Sequence, residues 1–490
     1  MTIRNQVQLI TYGDSLGGNL KAFHDLYMRH FTDAFSGGVH ILPPFPSSAD
    51  RGFAPLTYFE IDPALGNWDD IAAIGTHTNV LLDLMVNHIS RQSAYFQDFV
   101  NQGRRSQYAD FFLTLDKVWP GGNPPKEDVA KIFLRKPENP FSEIVVKATG
   151  QHEHIWTSFG TRDWSEQIDL DVSSALTRQL MKDILAHMKR HRVKIVRLDA
   201  IAFVIKKPGT SCFFVEPEIY EFMDWIRAEA DAVSIDLLPE VHAPYSIQSK
   251  LADHGYWVYD FALPMLTLHT LMTGSGEKLK EHLRACPRKQ FTMLDCHDGI
   301  PVQPDLDGIL DIDDAQNIVR ICVERGANLN RILSFEHRRQ PDFDAHQINC
   351  TYYSALGEND DTYIAARAIQ FFAPGVPQVY YVGLLAGRND QTGVTLTGEG
   401  RAINRHNYAV EEAQTELQRP VVQRLLKLIK FRNECDAFGG DLTVHETEDC
   451  LLSVSWKNGN NECRLTVDLD HPRAKIQYTN EAGDWLEYIP

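Results

Sequence analysis

Residues 194–200 read KIVRLDA, a short apolar run that ends on Arg197 and Asp199. Three other apolar runs also end on acids and a histidine: residues 81–88 (LLDLMVNH), 237–242 (LLPEVH) and 292–298 (TMLDCHD). A single polar residue after a strand is usually a helix cap or a structural group. Four such clusters in chain order instead indicate a catalytic face, because barrel enzymes place their catalytic groups at the carboxyl ends of the strands.

The strand pattern around these clusters predicts an α/β fold. Eight short runs are continuously apolar rather than alternating, which is typical of strands buried on both faces of a parallel sheet. Stretches with helical apolar spacing lie between them, as in residues 173–189, 217–230 and 361–372. The alternation predicts a (β/α)8 TIM barrel. The eight runs are residues 7–11, 38–42, 80–86, 194–198, 235–241, 257–261, 291–294 and 376–381.

Two stretches between the predicted strands are too long for ordinary loops. Residues 89–167 form a predicted inserted subdomain B, largely loop-like and rich in aromatic residues, and residues 299–349 form a predicted acidic loop subdomain. The barrel itself is predicted to comprise residues 1–88, 168–298 and 350–434. After Cys435 the apolar residues alternate in short runs, which predicts a small C-terminal β domain over 435–490.

The composition excludes several classes of protein. The 490 residues carry 66 acidic and 48 basic side chains, a net charge of −18, which argues against nucleic acid as a partner. No run reaches the roughly 18 apolar residues of a membrane helix, and the amino-terminal residues lack the pattern of a secretory signal. The eight cysteines form no Cys-x-x-Cys pair, so we expect free thiols and a cytoplasmic location.

The four clusters resemble, in order and spacing, the four short signature regions of the α-amylase superfamily of retaining α-glycosidases (glycoside hydrolase family 13). Longer stretches resemble its sucrose phosphorylase branch almost from end to end. The similarity is specific for the branch and less so for the substrate within it. These stretches are VQLITYGD (7–14), GVHILPPFPSSADRGFAP (38–55), GTSCFFVEPEIYEF (209–222), VYDFALPMLTLH (258–269), QINCTYYSALG (347–357), FFAPGVPQVYYVGLLAG (371–387) and INRHNY (403–408).

The resemblance implies a double displacement that uses three carboxyl groups. Asp199 would be the nucleophile that forms a β-glucosyl-enzyme, and Arg197, two residues earlier on the strand, would keep it ionised. Glu240 would protonate the leaving oxygen and then act as a base toward the acceptor. In retaining enzymes two such carboxyls lie about 5–5.5 Å apart. Asp298 would hold the glucose hydroxyls.

The resemblance also implies two subsites. A closed glucose pocket indicates an enzyme that acts on a small sugar rather than on a polymer. The glucose subsite would be formed by Asp50, Phe53, His88, Arg197, His297 and Arg405. The acceptor and phosphate subsite would be formed by Arg135, Lys136, Gln167, His242, Asp344, His346 and Gln347. From the residues alone, Arg135 and Lys136 are equally compatible with a solvated surface pair.

This chain departs from the branch near the acceptor subsite and not in the glucose subsite. Compared with the Leu-Asp-Leu-Tyr-Gln string of typical sucrose phosphorylases, it places His346 where they have Tyr. It also has Arg135 where they have Pro, an additional Arg162, and Phe203 where the branch often has Tyr. Four of the nearby residues, Arg135, Lys136, Arg162 and His346, suggest an anionic acceptor as an alternative, with fructose 6-phosphate as the candidate.

We therefore expect a retaining α-glucosyl phosphorylase, with sucrose phosphorylase as the main interpretation. Sucrose 6-phosphate phosphorylase and glucosylglycerol or glucosylglycerate phosphorylase are alternatives, a sucrose hydrolase is a weaker one, and a silent barrel is the weakest. The expected partners are a small sugar and inorganic phosphate, with no nucleic acid and no membrane. The chain is expected to be a monomer or a homodimer. No cofactor or metal is expected, since the acidic run at Asp311, Asp313 and Asp314 lacks the pattern of a calcium loop.

Overall fold

The computed structural model describes residues 3–136, 139–160, 166–303, 306, 308–333 and 342–490. In chain order the strands of these residues are β1 (Gln8–Thr11), β2 (Gly38–Ile41), β3 (Val80–Met85), β4 (His88–Ser90), β5 (Phe141–Val145), β6 (His152–Trp156), β7 (Gln167–Asp169), β8 (Val193–Asp199), β9 (Asp236–Pro239), β10 (Val258–Asp260), β11 (Gln290–Thr292), β12 (Ile300–Pro301), β13 (Asn328–Arg331), β14 (Ala345–Asn349), β15 (Val376–Tyr380), β16 (Asp441–Val444), β17 (Leu451–Asn458), β18 (Asn461–Asp468), β19 (Arg473–Thr479) and β20 (Trp485–Tyr488).

The α-helices of the same residues cover the outside of the central sheet and fill the connections. They are α1 (Leu20–His30), α2 (Trp68–Ile74), α3 (Ala94–Gln102), α4 (Leu115–Val118), α5 (Lys126–Lys131), α6 (Ala175–Arg190), α7 (Glu218–Ala232), α8 (Tyr245–Asp253), α9 (Leu263–Thr273), α10 (Glu277–Ala285), α11 (Ile312–Glu324), α12 (Tyr352–Ala355), α13 (Asp360–Phe372), α14 (Tyr381–Leu384), α15 (Gln391–Thr397), α16 (Val410–Glu416) and α17 (Pro420–Glu434).

Eight parallel strands form the central sheet, in the order β10-β11-β15-β1-β2-β3-β8-β9. Its two edges, β9 and β10, lie next to each other, so the sheet curls into a barrel. Every residue of β1, β2 and β3 is buried, as expected for strands covered by side chains inside and by helices outside. The eight predicted runs match these strands within two residues at each end. The predicted TIM barrel is confirmed.

The two predicted insertions contain more regular structure than their sequences indicated. Residues 89–167, predicted as largely loop-like, include helices α3, α4 and α5 and the β5–β6 hairpin, while β7 pairs antiparallel with β4. In the second insertion β13 and β12 flank β14 in a small antiparallel sheet, and Asp311 precedes the first residue of α11. The domain boundaries themselves stay a prediction.

The C-terminal strands β16 to β20 form an antiparallel sheet in sequential order, which confirms the predicted β domain. Trp456 of β17 joins this sheet to the barrel side, where its indole N–H donates to the carbonyl of Phe372 at 2.8 Å. All eight cysteines are free thiols. In the described part of the chain, none of the helices combines the length and the apolar character needed to cross a bilayer.

Candidate active site

The carboxyl ends of neighbouring barrel strands meet around one guanidinium group, that of Arg197 on β8. Its Nη1 lies 2.6 Å from Asp83 Oδ1 and 2.9 Å from Asp199 Oδ1, and its Nη2 lies 3.3 Å from Glu240 Oε1. The β3–β8 register sets Asp83 beside Arg197, because parallel pairing aligns these two residues directly. Burial opposes the charge of Arg197, but the carboxylates raise its pKa well above the ordinary value, so it stays a cation.

Asp199 and Glu240 share this cation and lie in the same cavity. Burial and the negative charge of Glu240 raise the pKa of Asp199 well above its ordinary value, against the opposing effect of Arg197. Burial also acts to raise the pKa of Glu240, but Arg197 and His242 lower it to about 2. The two buried carboxyls therefore titrate as a coupled pair around one guanidinium group.

Asp298 follows β11 and has several cationic neighbours. Arg401 Nη1 lies 2.7 Å from Asp298 Oδ1, and Arg405 Nη2 lies 4.0 Å from the same oxygen. Burial would raise the pKa of Asp298, but Arg401, His297 and Arg405 together lower it well below its ordinary value. Asp298 is therefore held in its carboxylate form by its cationic neighbours.

A cavity of about 710 Å³, its open mouth included, lies above these groups. It is lined by the three predicted catalytic residues and by most of the residues predicted for the two subsites. From the predicted set, the lining includes Asp199, Glu240, Asp298, Asp50, Phe53, His88, His297, Arg135, Gln167, His242 and Gln347. Arg197 lies beneath this lining, and Arg405 and His346 line an adjoining cavity of about 1510 Å³ that continues toward solvent.

The residues predicted for the glucose subsite form a wall of stacked rings and ion pairs. Phe53 stacks on His297 with ring centroids 4.8 Å apart, and His88 Nε2 lies 2.9 Å from the carbonyl oxygen of Phe53. Arg405 Nε donates to the carbonyl of His297 at 2.9 Å. Among the described residues, Arg405 Nη2 is buried without a hydrogen-bond partner, and it lies 4.0 Å from Asp298 Oδ1. This N–H group is suited to donate to a sugar hydroxyl.

The turn that carries Asp50 and Phe53 explains their placement. Asp50 and Arg51 have φ angles of 48° and 47°, the left-handed region that side chains other than glycine seldom adopt. Gly52 follows with a φ of 108°, and a Cβ at this position would lie 2.3 Å from the Pro43 carbonyl oxygen. This tight turn brings Asp50 to 3.7 Å from Arg405 Nη1.

On the acceptor side, Arg135 and His346 form a direct contact. Arg135 Nη1 lies 2.5 Å from His346 Nε2, while His346 Nδ1 lies 2.6 Å from the carbonyl oxygen of Gln303. His346 therefore donates from Nδ1 and accepts from Arg135 at Nε2 as a neutral ring. Burial and Arg135 lower the pKa of His346 well below its ordinary value. Gln347 lies beside this pair and accepts from Arg401 Nη2 at 3.1 Å.

Two residues predicted for the acceptor subsite do not line either cavity. The ammonium group of Lys136 is buried and donates to Thr157 Oγ1 at 2.5 Å, because its side chain points into subdomain B whereas that of Arg135 points to the cavity. Asp344 forms an ion pair of 2.6 Å with Arg331, and it is Arg331 that lines the outer cavity. Arg162 lies outside the described residues.

Several cavity residues were not predicted from the sequence. Arg401 lies in a 3-10 turn (Gly400–Asn404), four residues before Arg405. It lines the catalytic cavity, but the sequence predicted a site role only for Arg405. Phe133, Phe159 and Phe213 form an aromatic wall together with Phe203, at centroid distances of 4.9 to 6.1 Å. They come from separate loops, so no sequence pattern joins them.

In the part of the chain that the structure describes, two groups of residues have atoms close enough to hold a metal ion, within 4.8 Å of one another: Glu240, His242 and Asp298, and the buried Asp260, His282 and Cys286. In the second group the acid and the histidine are hydrogen-bonded within the fold, since Asp260 accepts from the Leu263 amide at 3.0 Å and contacts His282 Nε2 at 2.8 Å. The expectation that the site needs no metal or cofactor stays a prediction.

The sequence is similar to several known proteins. The α-amylase catalytic domain model matches residues 36–244. The chain is 55% identical over 489 residues to the sucrose 6(F)-phosphate phosphorylase of Thermoanaerobacterium thermosaccharolyticum, with 100% of both covered. It is 47% identical to the sucrose phosphorylase of Streptococcus mutans, with 96% of both covered, and 42% identical to the glucosylglycerol phosphorylase of Marinobacter adhaerens, with 99% of both covered.

Solved structures agree with these matches. The crystal structure of sucrose 6F-phosphate phosphorylase from Thermoanaerobacter thermosaccharolyticum has a TM-score of 0.96 and 54% identity, covering 100% of this chain and 98% of that one. An α-amylase from H. orenii, 15% identical with a TM-score of 0.68, covers 95% of this chain and 90% of its own and shares the fold. The chain therefore belongs to the sucrose phosphorylase branch of the α-amylase superfamily, and it is a glycoside phosphorylase.

Proposed function

We propose that this phosphorylase works by a retaining double displacement. Asp199 attacks the anomeric carbon of the glucosyl donor, and Glu240 gives its proton to the leaving oxygen. Phosphate then attacks the β-glucosyl-enzyme while Glu240 takes its proton, which gives α-glucose 1-phosphate. The position of both carboxyls in one cavity, bridged by Arg197, supports these roles.

The first step needs an ionised Asp199 and a protonated Glu240. Arg197 Nη1 lies 2.9 Å from Asp199, which favours the ionised form of that carboxyl. A glycosidic oxygen placed against Glu240 accepts a hydrogen bond only from its protonated form, which favours that form. We propose that substrate binding places the proton of the carboxyl pair on Glu240 in this way.

Two substitutions test these roles. We expect Asp199→Ala to lower kcat by about 10⁴-fold or more, because no glucosyl-enzyme can form. We expect Glu240→Gln to lose transfer from sugars with poor leaving groups but to keep glucosylation by α-glucosyl fluoride, whose leaving group needs no acid. Stopped-flow detection of released fluoride measures this step. Near-normal turnover by Asp199→Ala would contradict the mechanism.

For the acceptor half we propose sucrose 6-phosphate, with fructose 6-phosphate as the leaving sugar. The observation that carries this proposal is the contact of Arg135 with His346, which fixes a guanidinium group at the cavity mouth. Arg331 and Arg401 line the same outer cavity, and a local group of arginines is needed to bind a phosphorylated sugar to a chain of net charge −18. The relative at 55% identity is named for this substrate.

Sucrose itself is the second candidate, since the relative at 47% identity is named a sucrose phosphorylase. Initial rates of synthesis from α-glucose 1-phosphate, with fructose or fructose 6-phosphate as acceptor, separate the two. We expect kcat/KM to favour fructose 6-phosphate by roughly 100-fold, the effect of about 2.7 kcal/mol of charge-assisted hydrogen bonding. Equal values for both acceptors would favour sucrose.

The variant His346→Tyr links this preference to the site. Tyrosine offers no ring nitrogen to accept from Arg135, so we expect the preference for fructose 6-phosphate to fall about tenfold or more while the value for fructose changes little. Arg320→Gln is the matched control, because Arg320 is exposed and its ion pair with Glu324 lies on α11. The oligomeric state and the cytoplasmic location stay predictions.

A further inference from the structure

A buried ammonium group lies directly behind the catalytic cavity. The side chain of Lys206 is only 2% exposed, and its Nζ lies 2.8 Å from Asp169 Oδ2. Nζ also donates to Asn87 Oδ1 at 3.0 Å and to the carbonyl oxygen of Phe203. The ring of Trp156 lies 5.3 Å from the same nitrogen. Three oxygen atoms therefore accept hydrogen bonds from this ammonium group, which has three N–H bonds to donate.

Each of these oxygens belongs to a segment that carries a residue of the catalytic cavity. Asn87 immediately precedes His88. Asp169 ends β7, the strand that begins with Gln167 and pairs with β4 so that His88 faces Asp169. Phe203 itself lines the cavity. Lys206 therefore joins subdomain B, the end of β3 and the turn after β8 at one point.

The buried carboxylate of Asp169 requires a cation at the point where Lys206 joins these segments. Asp169 is fully buried and also accepts from Ser158, at 2.8 Å from its amide and 2.5 Å from its hydroxyl. Removal of the ammonium would leave this carboxylate buried beside His88 with only neutral donors, which is costly in a low-dielectric interior. The contacts that meet at Lys206 would therefore open.

We propose that Lys206 is a positioning residue for catalysis: its ammonium holds His88, Gln167 and the Phe203 wall in the geometry that binds the glucosyl group. Lys206 does not line the catalytic cavity. It lines instead a surface groove of about 1330 Å³ with Lys117, Asp171 and Arg178, and among the described residues none lines both this groove and the catalytic cavity. Truncation of Lys206 would open the ammonium position to small solutes from the groove.

The test is chemical rescue of Lys206→Ala. The inference rests on the proposed function, so glucosylation by α-glucosyl fluoride is measured, which needs only the glucose half of the site. We expect kcat/KM to fall roughly 100-fold, the loss that a misplacement of about 1 Å produces. Ethylammonium should restore it in a saturable manner, whereas tetramethylammonium, which donates no hydrogen bond, should not.

Lys207→Ala is the matched control, since Lys207 is exposed and pairs with Glu218 at the surface. Unchanged kcat/KM in Lys206→Ala, or a loss in a folded variant that ethylammonium does not restore, would overturn the proposal. If the alanine variant does not fold, Lys206→Met replaces it, and an unchanged kcat in that variant would overturn the proposal equally. Wild-type protein that releases no fluoride would contradict the proposed function instead.

Discussion

Arg401 illustrates how one residue can connect both halves of the candidate site. Its Nη1 lies 2.7 Å from Asp298 on the glucose side, and its Nη2 donates to Gln347 at 3.1 Å on the acceptor side. With 22% of its side chain exposed, it lies at the boundary between the buried pocket and the open mouth. It is the cation that lowers the pKa of Asp298 most strongly.

We predict that Arg401→Gln lowers kcat/KM by roughly 100-fold, because a buried carboxylate that loses its partner is left with a large desolvation cost. The substitution also removes a cation that favours ionised Asp298, so the pKa of Asp298 rises. Loss of activity on the acidic side should therefore begin at a higher pH than in the wild type. Steady-state kinetics from pH 4 to 8 measure both effects.

Arg388→Gln provides the control for this prediction, since Arg388 is exposed and its ion pair with Glu358 lies at the surface. Equal kcat/KM in the two variants would contradict the role of Arg401.

The sequence predicted a site role for Asp298 but not for Arg401. The end of a barrel strand fixes the position of Asp298, whereas a 3-10 turn far along the chain supplies its partner. The neighbours Arg135 and Lys136 differ for a related reason: in irregular backbone, adjacent side chains can point in unrelated directions.

At the scale of elements, the sequence predicted what depends on local burial. Buried parallel strands are continuous apolar runs, so β1, β2 and β3 could be found directly. The short helix α5 has no buried residue and therefore no apolar periodicity to read. The aromatic wall around Phe203 depends on loops meeting in space, which a single sequence does not encode locally.

The C-terminal sheet allows a test of how much its contact with the barrel contributes to the free energy of unfolding. Trp456 is 6% exposed and packs against Phe438 at a centroid distance of 6.0 Å. We predict that Trp456→Ala lowers the free energy of unfolding by about 3–5 kcal/mol, through the cavity and the lost hydrogen bond to Phe372. The value of kcat at 25 °C should stay unchanged, because no residue of β16 to β20 lines the two cavities in the described structure.

Trp485→Ala on β20 is the matched control, since Trp485 is 44% exposed in the same sheet. Its effect on unfolding should stay within about 0.5 kcal/mol. Urea unfolding followed by circular dichroism measures both variants. A similar loss in the two would show that the sheet contributes through general surface area rather than through the contact of Trp456 with the barrel.

At the scale of the whole molecule, folding buries histidines in their neutral form. Burial lowers the pKa of His297 to about 3, lowers that of His346 well below its ordinary value, and also lowers that of His88. In the unfolded chain these rings titrate near pH 6.5. Between that pH and the folded pKa the unfolded state binds more protons, so each ring makes the folded state less stable as the pH falls.

His346→Tyr isolates one such contribution, because tyrosine does not titrate in this range. Above pH 6.5 the folded and unfolded forms of His346 are both neutral, so the two proteins should show the same pH dependence of the free energy of unfolding. From pH 6.5 to 5, the wild type should lose about 1.5–2 kcal/mol more than the variant, since only its unfolded state takes up this proton. Urea unfolding curves at half-unit pH steps, compared as slopes rather than absolute values, measure the difference. Parallel slopes down to pH 5 would mean that His346 is protonated in the folded protein, and the Arg135–His346 contact would then have to break.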